Sequence, residues 1–413
     1  MSRRTLTVHR LGRVEYEDGL RMQALFARAR KEGKVGDVLL LLEHPPVLTL
    51  GRGANRADVL ASPEVLEARG VEVHETDRGG EVTYHGPGQI VGYPILDLAP
   101  DRKDVRRHVR SVEEGMIRAL AEHGIEAGRI AKWPGVWIGS EAVGSETDET
   151  RAASMERLEA VVAVAEARFL ERREEAASSG HSRAARRAGG DARKIGAVGV
   201  HIARWITTHG FALNVNAALE DFQLIVPCGI REAGVTSMER ELRRPVEVGA
   251  VETSLARAFG AVLEAEVRLD DTRTHTVSVT AVRRGPAGPE VLLLRRIPER
   301  GGFWQPVTGR RSPGEPAEVA ARRELEEETG ARLPVRSLGY RHAFAFGDTV
   351  PPVLTEEEAF AAEWPGDLEV RPGPEHDAVE WVSVDEALRR LPFPGLKRAV
   401  RRAVSRSDAG AWR

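Results

Sequence analysis

The sequence has very little cysteine: among its 413 residues, Cys228 is the single one. One cysteine excludes an intrachain disulfide framework and any zinc cluster built from cysteines. The chain also lacks an apolar run near the roughly 18 residues that a membrane-spanning helix needs. Its first residues lack the apolar core of a secretory signal. These absences predict a cytoplasmic protein that does not contact a membrane.

The sequence also has no large excess of positively or negatively charged residues. Lys and Arg number 60, Asp and Glu number 63, and the formal net charge is -3. Such a balance supplies no overall field that would attract nucleic acid, so we expect no nucleic-acid partner. The chain is too long for one ordinary core and contains no internal repeat. We therefore predict two unrelated domains, over residues 1–270 and 271–413.

The first domain has the mixed pattern of an α/β protein. The apolar run 38–42 predicts a short buried strand, and the spacing of apolar residues over 104–124 predicts a helix. Residues 195–205 and 211–215 predict two strands joined by a Thr/His/Gly turn. A further helix is predicted over about 251–265.

Residues 140–193 interrupt this pattern. The segment is charged, with a helical spacing in its first part and a polar, glycine-containing second part that has little to bury. We interpret it as an insertion in a hairpin. A solvated surface excursion is favoured over a binding element, although the segment ends directly before Lys194.

The one cysteine stands between Pro227 and Gly229, which predicts a tight, exposed turn. The thiolate is the nucleophilic form, and a nearby ammonium would lower the thiol pKa and could later carry the proton. Lys194 is a candidate for that ammonium. Taken alone, however, a single cysteine is more often a small buried side chain and a single lysine is more often solvated. Neither residue by itself establishes a mechanism.

A glycine-rich segment from Arg78 to Gln89 supplies a second feature. Its glycines admit a ligand or another backbone at close range, and its Arg, Tyr and His side chains supply hydrogen-bond donors. The alternative is an ordinary glycine-rich hairpin, which would be preferred if the segment stood alone.

Four separated stretches together resemble the lipoyl(octanoyl) transferases, in the fold family that also contains lipoate and biotin protein ligases. They are EHPPVLTLGR (43–52), RGGEVTYHGPGQIVGYPI (78–95), RKIGAVGVHIARWITTHGFALNV (193–215) and FQLIVPCGI (222–230). The resemblance covers about residues 5–266 apart from the insertion. It implies an α/β (α+β) domain with a mixed sheet and helices, similar to the biotin and lipoate protein ligases.

The resemblance also implies an activity: transfer of an octanoyl group from acyl carrier protein to a lysine of a lipoyl domain, without a cofactor. The acceptors would be 2-oxoacid dehydrogenases and the glycine cleavage H protein. Cys228 matches the family's acyl-thioester nucleophile, and Lys194 matches the lysine that lowers its pKa. The residues that match the acyl-site lining are Arg78, Gly79, Gly80, Glu81, Val82, Thr83, Tyr84, His85, Ala197, Val198, Gly199, Gly210, Phe211 and Ala212.

A ligase of the same fold is the main alternative for the first domain. Such ligases activate the acid with ATP and need no nucleophilic cysteine. The paired match of Lys194 and Cys228 favours transfer without ATP.

The second domain contains a pattern of glycine, glutamate and arginine residues at fixed spacings. Its members are Gly309, Glu315, Arg323, Glu324, Glu327 and Glu328. On a helix the last three carboxylates share one face, and like charges so close together favour a bound cation. Oxygen ligands suit Mg²⁺ or Mn²⁺. Arg323 can pair with Glu315 and hold the loop onto the helix. A solvated acidic helix is the alternative, and without Gly309, Glu315 and Arg323 it would be preferred.

With those residues the pattern is similar to the Nudix box at every fixed position. The resemblance implies an α/β/α sandwich that hydrolyses a nucleoside diphosphate linked to a further group, with Mg²⁺ or Mn²⁺ held by Glu327, Glu328 and Glu324. A nucleotide sensor without turnover is the alternative. Phe303 or Trp304 would stack on a base or pack in the core, and Glu375 would add a late metal contact. Strands are predicted at 277–282 and 291–294, and a final helix near 384–404.

Overall fold

A computed structural model describes residues 4–130, 133–139, 191–226, 234–347, 349–366 and 368–408. The chain divides into two compact units. The first comprises Met1–Gly12 and Gln23–Asp271, and the second comprises Arg13–Met22 and Thr272–Arg413. The domain division at residues 270 and 271 stays a prediction. Nearly all of the predicted insertion lies outside the described residues.

Between residues 4 and 269 the described chain alternates strands with helices. The strands are β1 (Arg4–Arg13), β2 (Asp37–Glu43), β3 (Val47–Leu50), β4 (Glu72–Glu75), β5 (Val82–His85), β6 (Gln89–Ile95), β7 (Gly128–Ile130), β8 (Trp133–Ile138), β9 (Arg193–Ala203), β10 (Ile206–Asn214), β11 (Gly234–Val235) and β12 (Ala265–Leu269). The helices are α1 (Tyr16–Lys31), α2 (Pro63–Ala68), α3 (Val105–Glu122), α4 (Met238–Leu242) and α5 (Val248–Leu263).

A large mixed sheet forms the centre of the first unit. Its strand order is β12-β1-β2-β6-β10-β9-β8-β7, and β11 pairs with β9; a separate small sheet has the order β4-β3-β5. The apolar run 38–42 is buried in β2, which confirms that prediction. The predicted helices at 104–124 and 251–265 correspond to α3 and α5. These helices pack on the sheet, and Phe259 of α5 stacks on Phe211 of β10 at 5.1 Å.

The prediction that a Thr/His/Gly turn joins the two strands after residue 193 was wrong. The turn consists of Arg204 and Trp205, both at positive φ (51° and 68°), as in a two-residue hairpin turn. The Thr/His/Gly stretch belongs instead to β10. Gly210 is required there by packing, because a Cβ at this position would lie 2.2 Å from the carbonyl oxygen of Gly92.

Strands β8 and β9 flank the predicted insertion. They pair antiparallel, with Ile138 opposite Arg193. The described parts of the chain on either side of the insertion thus form the two arms of a hairpin.

In its described residues the second unit contains the start of α1, a further sheet and three more helices. Its strands are β13 (Thr274–Gly285), β14 (Gly288–Arg296), β15 (Trp304–Gln305), β16 (Val307–Arg310), β17 (Arg336–Phe346), β18 (Val353–Glu363) and β19 (His376–Ser383), and its helices are α6 (Ala317–Thr329), α7 (Val384–Arg390) and α8 (Pro394–Asp408). The strand order is β15-β14-β13-β18-β17, with β16 on β13 and β19 on β14. The predicted pair at 277–282 and 291–294 is confirmed.

Helices cover both faces of this sheet. Leu292 and Leu294 pack with Leu325 of α6, whereas Val291 and Leu293 pack with the helices near the C-terminus. Because alternate residues of a strand point to opposite faces, α6 lies on one side and α7 and α8 on the other. The α/β/α sandwich is therefore confirmed.

The predicted single helix over 384–404 is two helices, α7 and α8. Pro392 and Pro394 explain the break, because proline has no backbone N–H to donate and its ring clashes with the preceding turn inside a helix. None of the described helices combines the length and the apolar character that crossing a bilayer requires.

A buried carboxyl in this sheet makes stability depend on pH. Glu357 lies opposite Thr276 and His342 on the neighbouring strands. Burial raises the pKa of Glu357 from 4.5 to about 7. Burial also lowers the pKa of His342 to about 3, so this neighbour stays neutral. A carboxyl whose pKa is raised by folding makes its favourable contribution below pH 4.5 and loses it as pH rises through about 7.

We expect Glu357→Gln to raise the free energy of unfolding by about 1 to 3 kcal/mol at pH 8 and to change it little at pH 4.5. The reason is that glutamine has nearly the same shape but cannot ionise. Thermal unfolding at the two pH values measures the difference. Equal stabilisation at both would contradict the assigned pKa.

Candidate functional site

Lys194 lies near the start of β9, at a junction of three strands. Val235 of β11 pairs with Lys194 in parallel, and the amide of Thr236 donates to the Lys194 carbonyl oxygen at 3.0 Å. On the other side of β9, Trp137 of β8 is opposite Lys194. Backbone pairing on both sides therefore holds this residue.

The Lys194 side chain passes over Gly135, which has no side chain to block it. Its Nζ lies 4.8 Å from the centroid of the Trp137 ring, a distance at which an ammonium is attracted to the ring face. A Cβ at Gly135 would lie 2.8 Å from the Lys194 Cε atom. The amide of Gly135 donates to the Glu113 carboxylate at 2.9 Å. Gly135 thus makes room for the lysine side chain.

Cys228 lies outside the described residues, and its predicted role is not tested by them. The chain is described up to Val226, whose amide donates to the Asp58 carbonyl oxygen at 2.8 Å. It is described again from Gly234, which is opposite Arg193. The stretch that contains Cys228 therefore has one described end beside Lys194.

Arg78 is buried and organises the glycine-rich segment. Its Nη2 atom donates to the carbonyl oxygens of Thr49 (2.6 Å) and Glu81 (2.7 Å), and its Nε donates to the Thr49 hydroxyl at 3.1 Å. The amide of Gly79 donates to the Val200 carbonyl oxygen at 3.0 Å. These bonds fix the segment, which includes Gly80 at positive φ, against β9.

Small residues of β9 and β10 lie opposite one another, and one of them, Gly199, touches this segment. Ala197 is opposite Ala212, and Gly199 is opposite Gly210. A Cβ at Gly199 would lie 2.8 Å from the Gly79 carbonyl oxygen, so the two backbones approach closely. The structure thus brings together four of the predicted acyl-site residues and the start of the glycine-rich segment.

Other predicted lining residues belong to the packed interior. Val198 and Phe211 are opposite each other on the alternate face of the hairpin; Phe211 belongs to the core cluster beneath α3 and α5, and the partly buried Val198 packs against it. Val82 and Tyr84 are buried in the core of the small sheet, where the Tyr84 hydroxyl donates to Asp221 at 2.7 Å. Thr83 is half-buried and lies opposite Thr49.

His85 begins a buried hydrogen-bond network that the sequence did not reveal. Its Nδ1 is 2.7 Å from Gln89 Oε1, and Gln89 Nε2 donates to Asn214 Oδ1 at 2.9 Å. Asn214 Nδ2 donates to the Thr236 carbonyl oxygen at 3.0 Å. Burial lowers the pKa of His85 to about 3, so the ring is neutral. Because Gln89 Oε1 accepts, the proton of His85 belongs on Nδ1.

The network joins the glycine-rich segment to Thr236, whose amide binds the Lys194 carbonyl oxygen. Gln89 stands three residues after Gly86 and Asn214 ends a strand, positions at which a polar residue is ordinary. Nothing in the local pattern indicates that their side chains meet. The pairing depends on the antiparallel register of β6 and β10, in which Gln89 is opposite Asn214.

We expect Gln89→Ala to lower the free energy of unfolding by about 2 to 4 kcal/mol, because it leaves buried polar atoms of His85 and Asn214 unpaired. Urea unfolding of the full chain measures the loss. Tyr84→Phe is the matched control, since it removes one hydrogen bond to a carboxylate that is not buried, and we expect about 1 kcal/mol. A Gln89→Ala loss no larger than the control would contradict a network role.

In the second unit, Glu315 and Arg323 form the predicted pair. Arg323 Nε and Nη2 donate to the two Glu315 oxygens, each at 3.0 Å, and the Ser312 amide donates to Glu315 at 2.9 Å. These bonds lower the pKa of the Glu315 carboxyl. Arg323 Nη2 also donates to the Arg310 carbonyl oxygen at 3.0 Å. The loop before α6 is therefore tied to the helix.

Gly309 lies under the carboxylate face of α6. A Cβ at this position would lie 1.7 Å from the carboxyl carbon of Glu324, so a larger residue would displace that carboxyl group. Glu324 is buried, which raises the pKa of its carboxyl. Arg323 Nη1 lies 2.7 Å from Glu324 and 3.2 Å from Glu327.

Glu328 is the least exposed of the three helix carboxylates. Burial, together with repulsion by Glu324 and Glu375, raises its pKa to about 8, although the Thr308 amide donates to it at 3.3 Å and Arg296 attracts it. Removing this charge from water is unfavourable unless a cation or a proton compensates for it.

The donor types of this cluster fit a divalent cation. Glu324, Glu327 and Glu328 offer carboxylate oxygens, the ligands that Mg²⁺ and Mn²⁺ prefer. In the part of the chain that the structure describes, however, no three His, Cys, Asp or Glu side chains converge closely enough to hold a metal ion. The guanidinium of Arg323 lies between Glu324 and Glu327 in this arrangement.

The predicted base-stacking residues are in contact with protein. Trp304 lies between the guanidinium groups of Arg295 (5.7 Å) and Arg390 (5.2 Å), and Phe303 packs edge-on against Phe393 at 5.2 Å. Their surroundings favour core packing over stacking on a base.

Comparison with known proteins gives matches over both units. Residues 15–260 match the family described as lipoyl protein ligase A/B catalytic domain, and residues 274–403 match the NUDIX domain. An octanoyltransferase of Myxococcus xanthus is 53% identical over 403 residues, which cover 97% of this chain and 99% of that protein. The similarity therefore includes the second unit.

Shorter relatives match the first unit. An octanoyltransferase of Acidobacterium capsulatum is 42% identical over 271 residues, covering 63% of this chain and 92% of that protein. An octanoyltransferase of Solibacter usitatus is 41% identical over 235 residues, covering 57% of this chain and 83% of that protein.

Proposed function

The chain belongs to the octanoyltransferases of the lipoyl protein ligase A/B family and carries a NUDIX hydrolase domain. On that premise we propose that it transfers the octanoyl group through a thioester on Cys228, with Lys194 as the proton carrier. The acyl donor is octanoyl-acyl carrier protein. The acceptor is a lysine on the lipoyl domains of 2-oxoacid dehydrogenases and on the glycine cleavage H protein.

The observation that carries this proposal is the pairing of β11 with the start of β9. Val235, seven residues after Cys228 in the sequence, is opposite Lys194 on the neighbouring strand. An ammonium close to a thiol favours the thiolate, which is the reactive form. The pair of residue types therefore suits nucleophilic catalysis on an acyl group.

Two displacement steps complete the reaction. The Cys228 thiolate attacks the thioester carbonyl, the new C–S bond forms, the C–S bond to the carrier breaks, and the carrier leaves as a thiolate that takes a proton from the Lys194 ammonium. The acceptor amine then attacks the acyl-enzyme, the C–N bond forms, and the Cys228 thiolate leaves. Lys194 accepts the proton that the amine loses. No ATP is consumed in either step.

The small residues that are opposite each other on β9 and β10 support the proposal that the acyl chain binds beside this hairpin. Ala197 and Ala212, which are opposite each other, put only methyl groups on this hairpin, whereas Gly199 and Gly210 are packed against the backbone of Gly79 and Gly92. Such a face admits an apolar chain close to the backbone.

Transfer without ATP separates this proposal from the ligase alternative. The full chain is incubated with octanoyl-acyl carrier protein and an apo-lipoyl domain in buffer free of ATP, and the mass of the lipoyl domain is measured. The proposal predicts one octanoyl group on the lipoyl domain. Modification that appears only with free octanoate and ATP would show a ligase instead.

For the second unit we propose metal-dependent hydrolysis of a nucleoside diphosphate linked to a further group. Glu327 and Glu328 would hold Mg²⁺ or Mn²⁺, and Glu324 would act as a further ligand or as the base. The cation would offset charge on the phosphates and lower the pKa of an attacking water. The buried Glu328, with its raised pKa, supports this assignment. Binding of a nucleotide without turnover is the alternative.

A further inference from the structure

A cleft lies between the start of α3 and the end of α5 in the first unit. It is lined by Arg102 of the loop after β6, by Arg107 and His108 of α3 and by Leu263 of α5. The amide of Arg102 donates to the Leu98 carbonyl oxygen at 2.9 Å, and its Nη2 atom donates to the Leu263 carbonyl oxygen at 2.7 Å. These bonds tie the loop after β6 to the end of α5.

This cleft and the Lys194 side chain lie on opposite faces of the large sheet. Val136 and Ile138 of β8 belong to the core cluster that α3 and α5 cover, whereas Trp137 belongs to a separate cluster. Alternate residues of a strand point to opposite faces. The Lys194 ammonium is beside the Trp137 ring, so it lies on the face away from the two helices. A ligand in the cleft is therefore distinct from the octanoyl group at the proposed acyl site.

His108 is the buried polar side chain of the cleft, with 3% of its surface exposed. Its Nε2 atom is buried and has no hydrogen-bond partner among the described residues. Burial lowers the pKa of His108 to about 4, so the ring is neutral at pH 7. Leaving a ring nitrogen unpaired in the interior is unfavourable. A ligand in the cleft would pair with this atom.

The Arg102 side chain has a second unpaired atom beside the same cleft. Its Nε atom is buried and has no hydrogen-bond partner within the described part of the chain. A guanidinium nitrogen can donate but cannot accept, so this atom requires an acceptor oxygen. The ligand that suits the cleft therefore carries acceptor atoms.

The charges around the cleft favour a negatively charged ligand. The pKa of Arg102 is lowered by burial and by repulsion from Arg4 and Arg107, although Asp101 and Glu264 attract it. Asp101 also pairs with Arg4 at 3.6 Å. A lowered arginine pKa means that the surroundings disfavour the cation, and a bound anion would offset this effect.

Arg107 supplies a further guanidinium that is exposed to solvent. It forms no ion pair with another residue in the described ranges. The Asp104 carboxylate accepts the amides of Arg106 and Arg107 at 2.9 and 3.0 Å, so these amides at the start of α3 are already paired. The donors available in the cleft are therefore side chains and not helix amides.

We propose that Arg102, Arg107 and His108 bind a small oxyanion of the phosphate type in this cleft. Guanidinium groups bind phosphate through charge-assisted hydrogen bonds, and a buried imidazole N–H adds a neutral donor. Arg102 Nε and His108 Nε2 both donate to the anion, and the Arg107 guanidinium contacts it from the solvent side. This site is independent of both proposed activities.

Nuclear magnetic resonance of the full chain with isotope-labelled histidine tests the site, with His108→Asn identifying the His108 signal. Inorganic phosphate at pH 7 is expected to shift that signal until it saturates, whereas sodium chloride at equal ionic strength is not. The affinity for phosphate is expected to fall at least about 10-fold in Arg107→Gln, because the change removes a charge-assisted hydrogen bond. Arg118→Gln is the matched control. This arginine of α3 pairs with Glu114 at 2.8 Å, and its replacement is expected to leave the affinity unchanged.

Arg102→Gln is expected to weaken phosphate binding at least as much. Because Arg107 is exposed, its variant decides the test even if the Arg102 variant, which loses its bond to Leu263, fails to fold. Glycerol phosphate separates the two sources of the anion: saturation by inorganic phosphate alone assigns the free ion, and saturation by both assigns the phosphoryl group of a larger molecule. No saturating shift with phosphate, an equal shift with chloride, or an unchanged affinity in Arg107→Gln overturns the proposal.

Discussion

Replacing Lys194 by alanine is expected to slow octanoyl transfer about 10²- to 10⁴-fold at pH 7, the range typical of a lost general acid–base group. Lys194 has two tasks in the proposed reaction. Its ammonium favours the Cys228 thiolate, and its amine later accepts the proton of the attacking lysine. The side chain lies beside the buried Trp137 ring and over Gly135, so thermal unfolding of the variant is measured together with its activity.

A pH profile distinguishes a catalytic loss from a structural one. A free thiol ionises near pH 8.5, so the rate of the Lys194→Ala variant is expected to recover partly as the pH rises to about 9. Lys103→Ala is the matched control, because this exposed lysine contacts only the Trp205 ring among aromatic side chains of the described chain, at 5.8 Å. A loss that does not depend on pH, or an equal loss in the control, would contradict the role of Lys194.

Glu328→Gln is expected to slow hydrolysis by the second unit about 10²- to 10⁴-fold, which corresponds to roughly 3 to 5 kcal/mol of transition-state stabilisation. The substitution keeps the shape of the side chain and removes the negative charge that a divalent cation requires. Phosphate release from a nucleotide in Mg²⁺ measures the loss. Octanoyl transfer by the same variant is expected to be unchanged, since Glu328 belongs to the second unit.

A carboxylate on the same helix provides the control. Glu326 pairs with Arg332 at 2.6 Å and its side chain is 43% exposed, so Glu326→Gln is expected to leave hydrolysis within about twofold of the wild type. If Glu328→Gln retained full turnover, metal binding through Glu328 would be excluded. An equal loss in both variants would point to damage of α6 instead of the site.

The sequence predicted the features that depend on short spacings. The apolar run of β2, the carboxylate face of α6 and the pairing of Glu315 with Arg323 each follow from residues that are near in the chain. The sheet covered by helices on both faces was predicted from the resemblance of these spaced residues to the Nudix box.

The features that the sequence did not reveal depend on strand register. Gly210 suggested a turn, but it is needed because Gly92 of the neighbouring strand comes too close for a Cβ. Gln89 and Asn214 meet because their strands pair antiparallel. Arg296 and His376 are opposite each other across a bulge. Local propensity contains no information on such partners, because each lies far away in the chain.

The most direct test of the central claim is the intact mass of the full chain after incubation with octanoyl-acyl carrier protein alone, in parallel with Cys228→Ala. The account predicts an increase equal to one octanoyl group on the wild type, none on the variant, and loss of the adduct when an apo-lipoyl domain is added. An adduct of the same size on Cys228→Ala, or complete transfer by that variant, would contradict a thioester on Cys228.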